Sequence, residues 1–296
     1  MLFVPTSADG TSSNKDNSYT KGSIPQVFFY VNKLAGERVE KTGSVGSACK
    51  YAAKLNWKTS FDRARESDID FAISNVVVRN CRLASCCNGF KVGTGSWAPV
   101  KDILVENCRV ERPRGNWRFR WFDEFPGVTN RLVGESAVTL GTVDGGSLEN
   151  VTVRNMTFSG VATPISIRLN RRQPCRPGHE TYSRNIRFEN FRGTCEGTVP
   201  SQITGIPGMM VRNVVLKDVE ISCPGGGAVT DDPVPERLDG YPGPTMFEGH
   251  TLPAYGFFLR HVDGIAFDNV TVRPRTSERR PVVHAEDVKG MSGDCR

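Results

Sequence analysis

Two sets of side chains in this 296-residue sequence could do chemistry together: carboxylates able to trade protons, and a file of cations able to hold an anion. Breaking a glycosidic bond takes two carboxyl groups, one to protonate the leaving oxygen and one to activate water or attack the sugar. Asp68 and Asp70 in ESDIDF and Asp144 in TVDGG are the catalytic candidates. Asp123 and Glu124 in WFDEF and Asp231 and Asp232 in TDDP also escape the packing positions. Asp144 has a plainer reading, because Asp-Gly-Gly is common turn chemistry. The Asp231–Asp232 pair lies in a Pro/Gly-rich stretch and reads as surface loop.

The cations are Lys91, Arg168 and Arg260, each beside apolar residues in a strand-like segment. With Phe90 and Val92 facing a core, Lys91 faces out. The same parity turns Thr139, Ser166, Arg168, Phe258 and Arg260 outward, with His261 following. A rigid cationic strip edged by an aromatic suits an extended anionic polymer, and a uronate polysaccharide is a natural candidate. The competing reading is a solvated face whose basic side chains pair with nearby carboxylates. His179, His250 and His284 have no spaced partners and read as structural. GTGS at 93–96 and GGG at 225–227 lack the helix and the Lys-Ser/Thr of a phosphate loop, so both read as turns.

What must position these residues is a repeat. NVVVRNCRL from Asn75 returns as DILVENCRV, NVTVRNMTF, NIRFENFRG, NVVLKDVEI and GIAFDNVTV, with starts 27, 48, 35, 28 and 51 residues apart. Spacings in the high twenties are too short for a βαβ unit but match one turn of a β-solenoid. The two longest gaps need an additional coil or a long inserted loop. Within the phrase Val76 and Val78 alternate with an outward residue, which is strand periodicity. After Asn80, Asn107, Asn155, Asn190, Asp218 and Asn269 the apolar parity shifts, as at Cys81/Leu83. One residue in the left-handed region allows that shift, and Asn and Asp tolerate it best after Gly. The phrase therefore predicts two short strands meeting at an Asn corner.

A third apolar segment follows at GFKVGT, AVTLGT, PISIRL, SQITGI, YGFFLR and PVVHAE. Coils of three short strands stacked about 4.8 Å apart describe an all-β chain folded as a parallel β-helix. Cys81 and Cys108 share the inward slot of Met156, Phe191 and Val219, and read as core residues rather than an obligatory disulfide. The expected organisation is an irregular N-terminal segment or cap over 1–67 and one β-helix domain over 68–296. IPQVFFYV (24–31) reads as an edge strand and SACKYAAKLNWK (47–58) as a helical cap. Insertions at roughly 111–134, 170–183 and 222–255 are expected to wall a cleft.

Composition narrows the field. The 30 Gly and 18 Pro, with 38% hydrophobic residues, disfavour a helical bundle and favour strands joined by turns. A net charge of +6 suits an acidic partner. Nucleic acid is not expected, because Arg168–Arg176 and Arg273–Arg280 contain Pro and little aromatic material. No apolar run approaches a membrane span, and MLFVPTSADG lacks the basic and apolar regions of a secretory signal. The nine Cys show no metal-ligand spacing, so neither a metal nor a cofactor is expected, and the chain reads as a monomer.

The run NVVVRNCRLASCCNGFKVGTGS, then AVTLGTVDGGSLENVTVRNMTFSGVATPISIRLNRR, then SQITGIPG and MFEGHTLPAYGFFLRHVDGIAFDNVTV, resembles bacterial members of glycoside hydrolase family 28, the polygalacturonase-like enzymes. The resemblance covers about residues 68–290. It implies a right-handed parallel β-helix, a secreted or periplasmic location and a pectin, polygalacturonate or rhamnogalacturonan substrate. It also implies inverting hydrolysis with Asp side chains as acid and base, and no metal. Asn88, Tyr255 and His261 join Lys91, Arg168 and Arg260 as the substrate-binding set.

The family's Asn-Thr-Asp and paired Asp-Asp segments are missing. On one placement Cys86 and Cys87 stand where the paired carboxylates belong; on the other, which the order of the later coils favours, Asn88 replaces the His of a Gly-His-Gly coil. A thiol or an amide cannot do the work of a carboxylate pair at neutral pH. A truncated or out-of-frame beginning, or a relic without catalysis, would account for the gap. The alternatives are a non-catalytic β-helix that binds acidic polysaccharide, and a β-helix lyase, which would need calcium carboxylates and a Lys or Arg base.

Overall fold

The repeated phrase folds as a strand that turns a corner without ending. The computed structural model describes residues 73–85, 87–93, 98–112, 133–175, 177–240 and 250–296. Expectations placed on 1–72, including Asp68, Asp70, the edge strand and the cap, lie outside these residues, as do Asp123 and Glu124. The described residues are all-β. Their strands are β1 (Val76–Arg79), β2 (Arg82–Ala84), β3 (Asn88–Val92), β4 (Val100–Glu111), β5 (Gly134–Thr142), β6 (Leu148–Leu169), β7 (Ser183–Cys195), β8 (Ser201–Thr204), β9 (Val211–Cys223), β10 (Phe257–Pro274) and β11 (Val283–Cys295). Among the described residues no helix is long and apolar enough to cross a membrane.

Every pairing between these strands is parallel. The first halves of the phrase form one ladder, in which Val76 pairs with Ile103, Ile103 with Val151, Val151 with Ile186, Ile186 with Val214 and Val214 with Ile265. The second halves form another ladder, through Cys108, Met156, Phe191, Val219 and Val270. The third apolar segments, as expected, make a further ladder: β3, β5, the end of β6, β8, and the starts of β10 and β11. Because β6 and β10 each pass through a corner and pair on two ladders, β6, β7, β9, β10 and β8 close a ring of five parallel strands.

The corner residues take the geometry their chemistry suggested. Asn80, Asn107, Asn155, Asn190, Asp218 and Asn269 have φ between 48° and 56°. The sequence reading missed a second corner at the start of the phrase, where Asn75, Asp102, Asn150, Asn185 and Asn213 have φ between 54° and 57°. Both corners stack their side chains. Asn150 donates from Nδ2 to Asp102 Oδ1 at 2.8 Å, Asn185 to Asn150 at 3.1 Å and Asn213 to Asn185 at 3.1 Å. In the other file Asn155 donates to Asn107 at 3.1 Å, Asn190 to Asn155 at 2.9 Å and Asn269 to Asp218 at 2.7 Å.

Each donor reaches back to the preceding pass, so an aspartate can accept from the next rung but cannot continue the chain of bonds. Asp218→Asn would supply the missing N–H to Asn190 and is expected to stabilise the fold by about 0.5–1 kcal/mol. An unchanged or lower urea midpoint would show that the rung is worth nothing.

Between the ladders lies the apolar stack. Ile103, Val151, Ile186, Val214 and Ile265 are at most 2% exposed, and Phe158 stacks on Phe191 with centroids 4.7 Å apart. Cys81 and Cys108 are buried in this stack, as their slot implied. Burial of this kind contributes about 1.5–3 kcal/mol per large aliphatic side chain, which is what holds strands with few local contacts together.

Candidate functional site

Parallel register brings the outward residues of the third ladder into files. Lys91 stands beside Thr139, then Ser166, Gln202, Phe258 and His284. Two places along, Gly141, Arg168, Thr204, Arg260 and Glu286 make a second file. The alignment is the one the strand parity required, but the open cationic strip needs correction. Lys91 is 1% exposed, Arg168 0% and Arg260 3%, so the files form a buried polar seam.

The covering material includes the chain's own insertion before β10. Arg168 donates to the backbone carbonyls of Gly205 (3.0 Å), Glu236 (2.8 Å) and Arg237 (2.6 Å). Burial pushes its guanidinium down to about 10, with Glu236 opposing that shift and Arg260 adding to it. Arg260 donates to Glu286 Oε2 at 2.6 Å and to the Pro235 carbonyl at 3.1 Å, with its guanidinium carbon 5.0 Å from the Phe258 ring centroid. His261 sits between two carboxylates, Nδ1 at 2.7 Å from Asp287 and Nε2 at 3.1 Å from Glu236. An imidazolium satisfies both and a neutral ring only one. His284 meets Glu286 at 3.0 Å and stacks on Phe258.

At the other end of the ladder Asn88 is 1% exposed. Its amide donates to Glu135 at 2.9 Å and its carbonyl oxygen accepts from Ser136 (2.8 Å) and Thr139 (2.5 Å). Asn88 therefore ties β3 to β5, a correction to its expected contact with substrate. Asp144 is buried with a fully covered side chain, and both oxygens are held by Arg172, at 2.8 Å and 2.5 Å. Burial raises its carboxyl while Arg172 opposes the rise. Neither oxygen is free to act as an acid or a base in this arrangement. Tyr255 is half-buried against the core, its hydroxyl raised by burial and influenced by Cys223, Cys295 and Glu278 rather than by the seam. The expected set thus divides: Arg168, Arg260 and His261 share the Glu236 neighbourhood, while Asn88, Asp144 and Tyr255 lie elsewhere.

Glu135, Gln202, Glu236, Glu286 and Asp287 were not found by sequence. A signal existed for two of them, because sliding PVVHAED 26 residues back onto YGFFLRH places Glu286 beside Arg260 and Asp287 beside His261. Among the described residues no group of three or more His, Cys, Asp or Glu is placed to hold a metal ion. Compared with known proteins, the chain matches no family model, no curated protein and no solved structure.

Proposed function

We propose that the chain is a right-handed parallel β-helix whose third ladder carries the functional face, and that it acts as a polygalacturonase-like glycoside hydrolase on pectic or other acidic polysaccharide. One coil of three strands per pass accounts for the three ladders, for corners at fixed places and for partners that step one pass at a time. The observation that carries the functional reading is where polarity is buried. In the strands of the first two ladders Ser183 is the one buried polar residue among the described residues, whereas the third holds Lys91, Thr139, Ser166, Arg168, Gln202, Thr204 and Arg260. Burying polar groups costs stability unless they are paired, and such concentrations collect at sites that work on ligands.

Incubating the folded protein with polygalacturonate or rhamnogalacturonan is expected to release reducing ends without the absorbance of an unsaturated uronide. That absorbance would replace hydrolase by lyase, and no product from either polymer would end the catalytic reading. The locked Asp144 favours a second reading, a β-helix that holds the polymer without cutting it. It predicts retention on immobilised polygalacturonate that weakens with salt, since exposed charge pairs are screened beyond about 8 Å at physiological ionic strength. A protein that passes through at low salt would sink both readings.

A further inference from the structure

Residues 234–240, in the insertion before β10, form a strap across the buried seam. Val234 is buried in a small apolar cluster with Leu252 and Phe258. Beyond it the strap docks through backbone carbonyls. Pro235 accepts from Arg260, Glu236 and Arg237 accept from Arg168, Leu238 accepts from the Arg171 N–H (2.9 Å), and Gly240 accepts from the Asn170 side chain (2.9 Å). These carbonyls take guanidinium donors that an anion at the seam would need. Little apolar burial adds to the docking, since Leu238 is 42% exposed. Arg237 holds φ of 50°, a left-handed conformation that long side chains seldom adopt. Segments with few apolar contacts open at low cost in free energy.

His261 fastens this strap to the strand behind it, because its ring lies between Glu236 of the strap and Asp287 of β11. We propose that His261 is a proton-controlled latch on the strap. Charged, the ring donates to both carboxylates and holds residues 234–240 shut over Arg168 and Arg260. Neutral, it has one N–H, keeps the shorter contact to Asp287, and releases Glu236. The other charges nearby have partners of their own. On the same strand Arg260 pairs with Glu286 of β11, and from β6 Arg168 holds the strap's carbonyls. Next to Glu236 the strap carries Arg237, and from the turn after β8 Gly205, which has no charge, packs on the His261 carbonyl. The latch is therefore shut on the acid side and loosens as pH rises through the range in which imidazole loses its proton. That opening bares a ligand face rests on the acidic-polysaccharide reading; the latch itself does not.

Hydrogen exchange on the full chain tests it, read as protection factors so that the pH dependence of intrinsic exchange divides out. Between pH 5.5 and 8.0, protection of residues 236–240 and of the Arg171 N–H should fall about tenfold, the weight of one charged hydrogen bond. Ile186 and Val214, in the ladder of β7 and β9, should not change. His261→Asn suits the left-handed backbone there, with φ of 52°, and removes the titrating ring. At pH 5.5 it should give the strap the parent's pH 8.0 protection and flatten the profile. Glu236→Gln alters a side chain that is 40% exposed, so it settles the matter should His261→Asn fail to fold, and it should flatten the profile too. His284→Gln removes the other imidazole near Glu286 and should leave the profile as it was. A flat profile in the parent, or one that survives Glu236→Gln, overturns the latch. At pH 5.5 Glu236→Gln should also be retained more strongly than the parent on immobilised polygalacturonate. Retention without the exchange profile removes the latch and keeps the proposed function; the exchange profile without retention by any variant does the opposite.

Discussion

Arg280→Ala is expected to cost about 3–5 kcal/mol of folding free energy, measured by urea denaturation. The Arg280 and Glu278 side chains are 3% and 1% exposed, and each is used several times over. Arg280 donates to Glu278 through Nη2 (2.9 Å) and Nε (3.2 Å), and through Nη1 to the carbonyls of Thr198 (3.0 Å) and Leu252 (3.2 Å). Glu278 also accepts from the backbone N–H groups of Gly227 (3.2 Å), Arg279 (2.9 Å) and Arg280 (3.0 Å). One ion pair thereby joins the stretch after β7, the loop after β9, the approach to β10 and the turn before β11. Gly227 is part of the same fit, since a Cβ there would fall 2.0 Å from Arg280 Nη2. Alanine at 280 strands a buried carboxylate and two carbonyls, and the stranded charge dominates the loss. Replacing both members with apolar residues, as in Glu278→Leu with Arg280→Met, should cost less than Arg280→Ala alone. A single-variant loss under about 1 kcal/mol would contradict the argument.

The pair also sets an acid limit. Burial alone would raise the Glu278 carboxyl, but the Arg280 guanidinium and the N–H groups of Arg280 and Gly227 outweigh it and hold the group down at about 2, against an ordinary 4.5. A folded-state value below the unfolded one means that the stabilisation is complete above pH 4.5 and is lost as pH falls from there towards 2. The amount at stake is about 3 kcal/mol. Melting temperatures of the parent should therefore fall over that window more steeply than those of Arg280→Ala, and parallel curves would refute the linkage.

Strand, corner and stack were legible in the sequence for one physical reason: each is decided by neighbours close in the chain or one pass away. Val76 and Val78 alternate because a strand has period two, and Asn80 breaks the alternation because it can take φ of 54°. The second corner escaped notice because Asn75 opens the phrase, leaving no parity before it to be seen shifting. Burial of the seam was illegible for a different reason. Parity says that Arg168 leaves the core, but whether it meets water or the carbonyls of residues 236 and 237 depends on how a long insertion folds back. Asp144 shows the same limit: the turn was readable, while its pairing with Arg172 across 28 residues was not.

Arg168→Ala is the second large effect expected, a loss of about 3 kcal/mol, and it separates the two roles that Arg168 could have. Were Arg168 a contact on an open groove, alanine would weaken polymer retention and leave the melting temperature where it was. Its actual partners are the carbonyls of Gly205, Glu236 and Arg237, so alanine leaves buried acceptors without a donor and a void where a guanidinium had been. Arg168→Lys keeps the charge but cannot reach carbonyls on both sides with a planar fork, and should recover about half of the loss. The damage should also travel. Glu236 is hydrogen-bonded to His261, and Pro235 accepts from Arg260, so freeing the insertion at 236 and 237 loosens the partners of two other seam residues. Limited proteolysis should then cut within 230–240 at least tenfold faster in Arg168→Ala than in the parent, with Arg168→Lys between them. Equal cutting together with an unchanged melting temperature would return Arg168 to the solvent-facing strip that strand parity alone suggested.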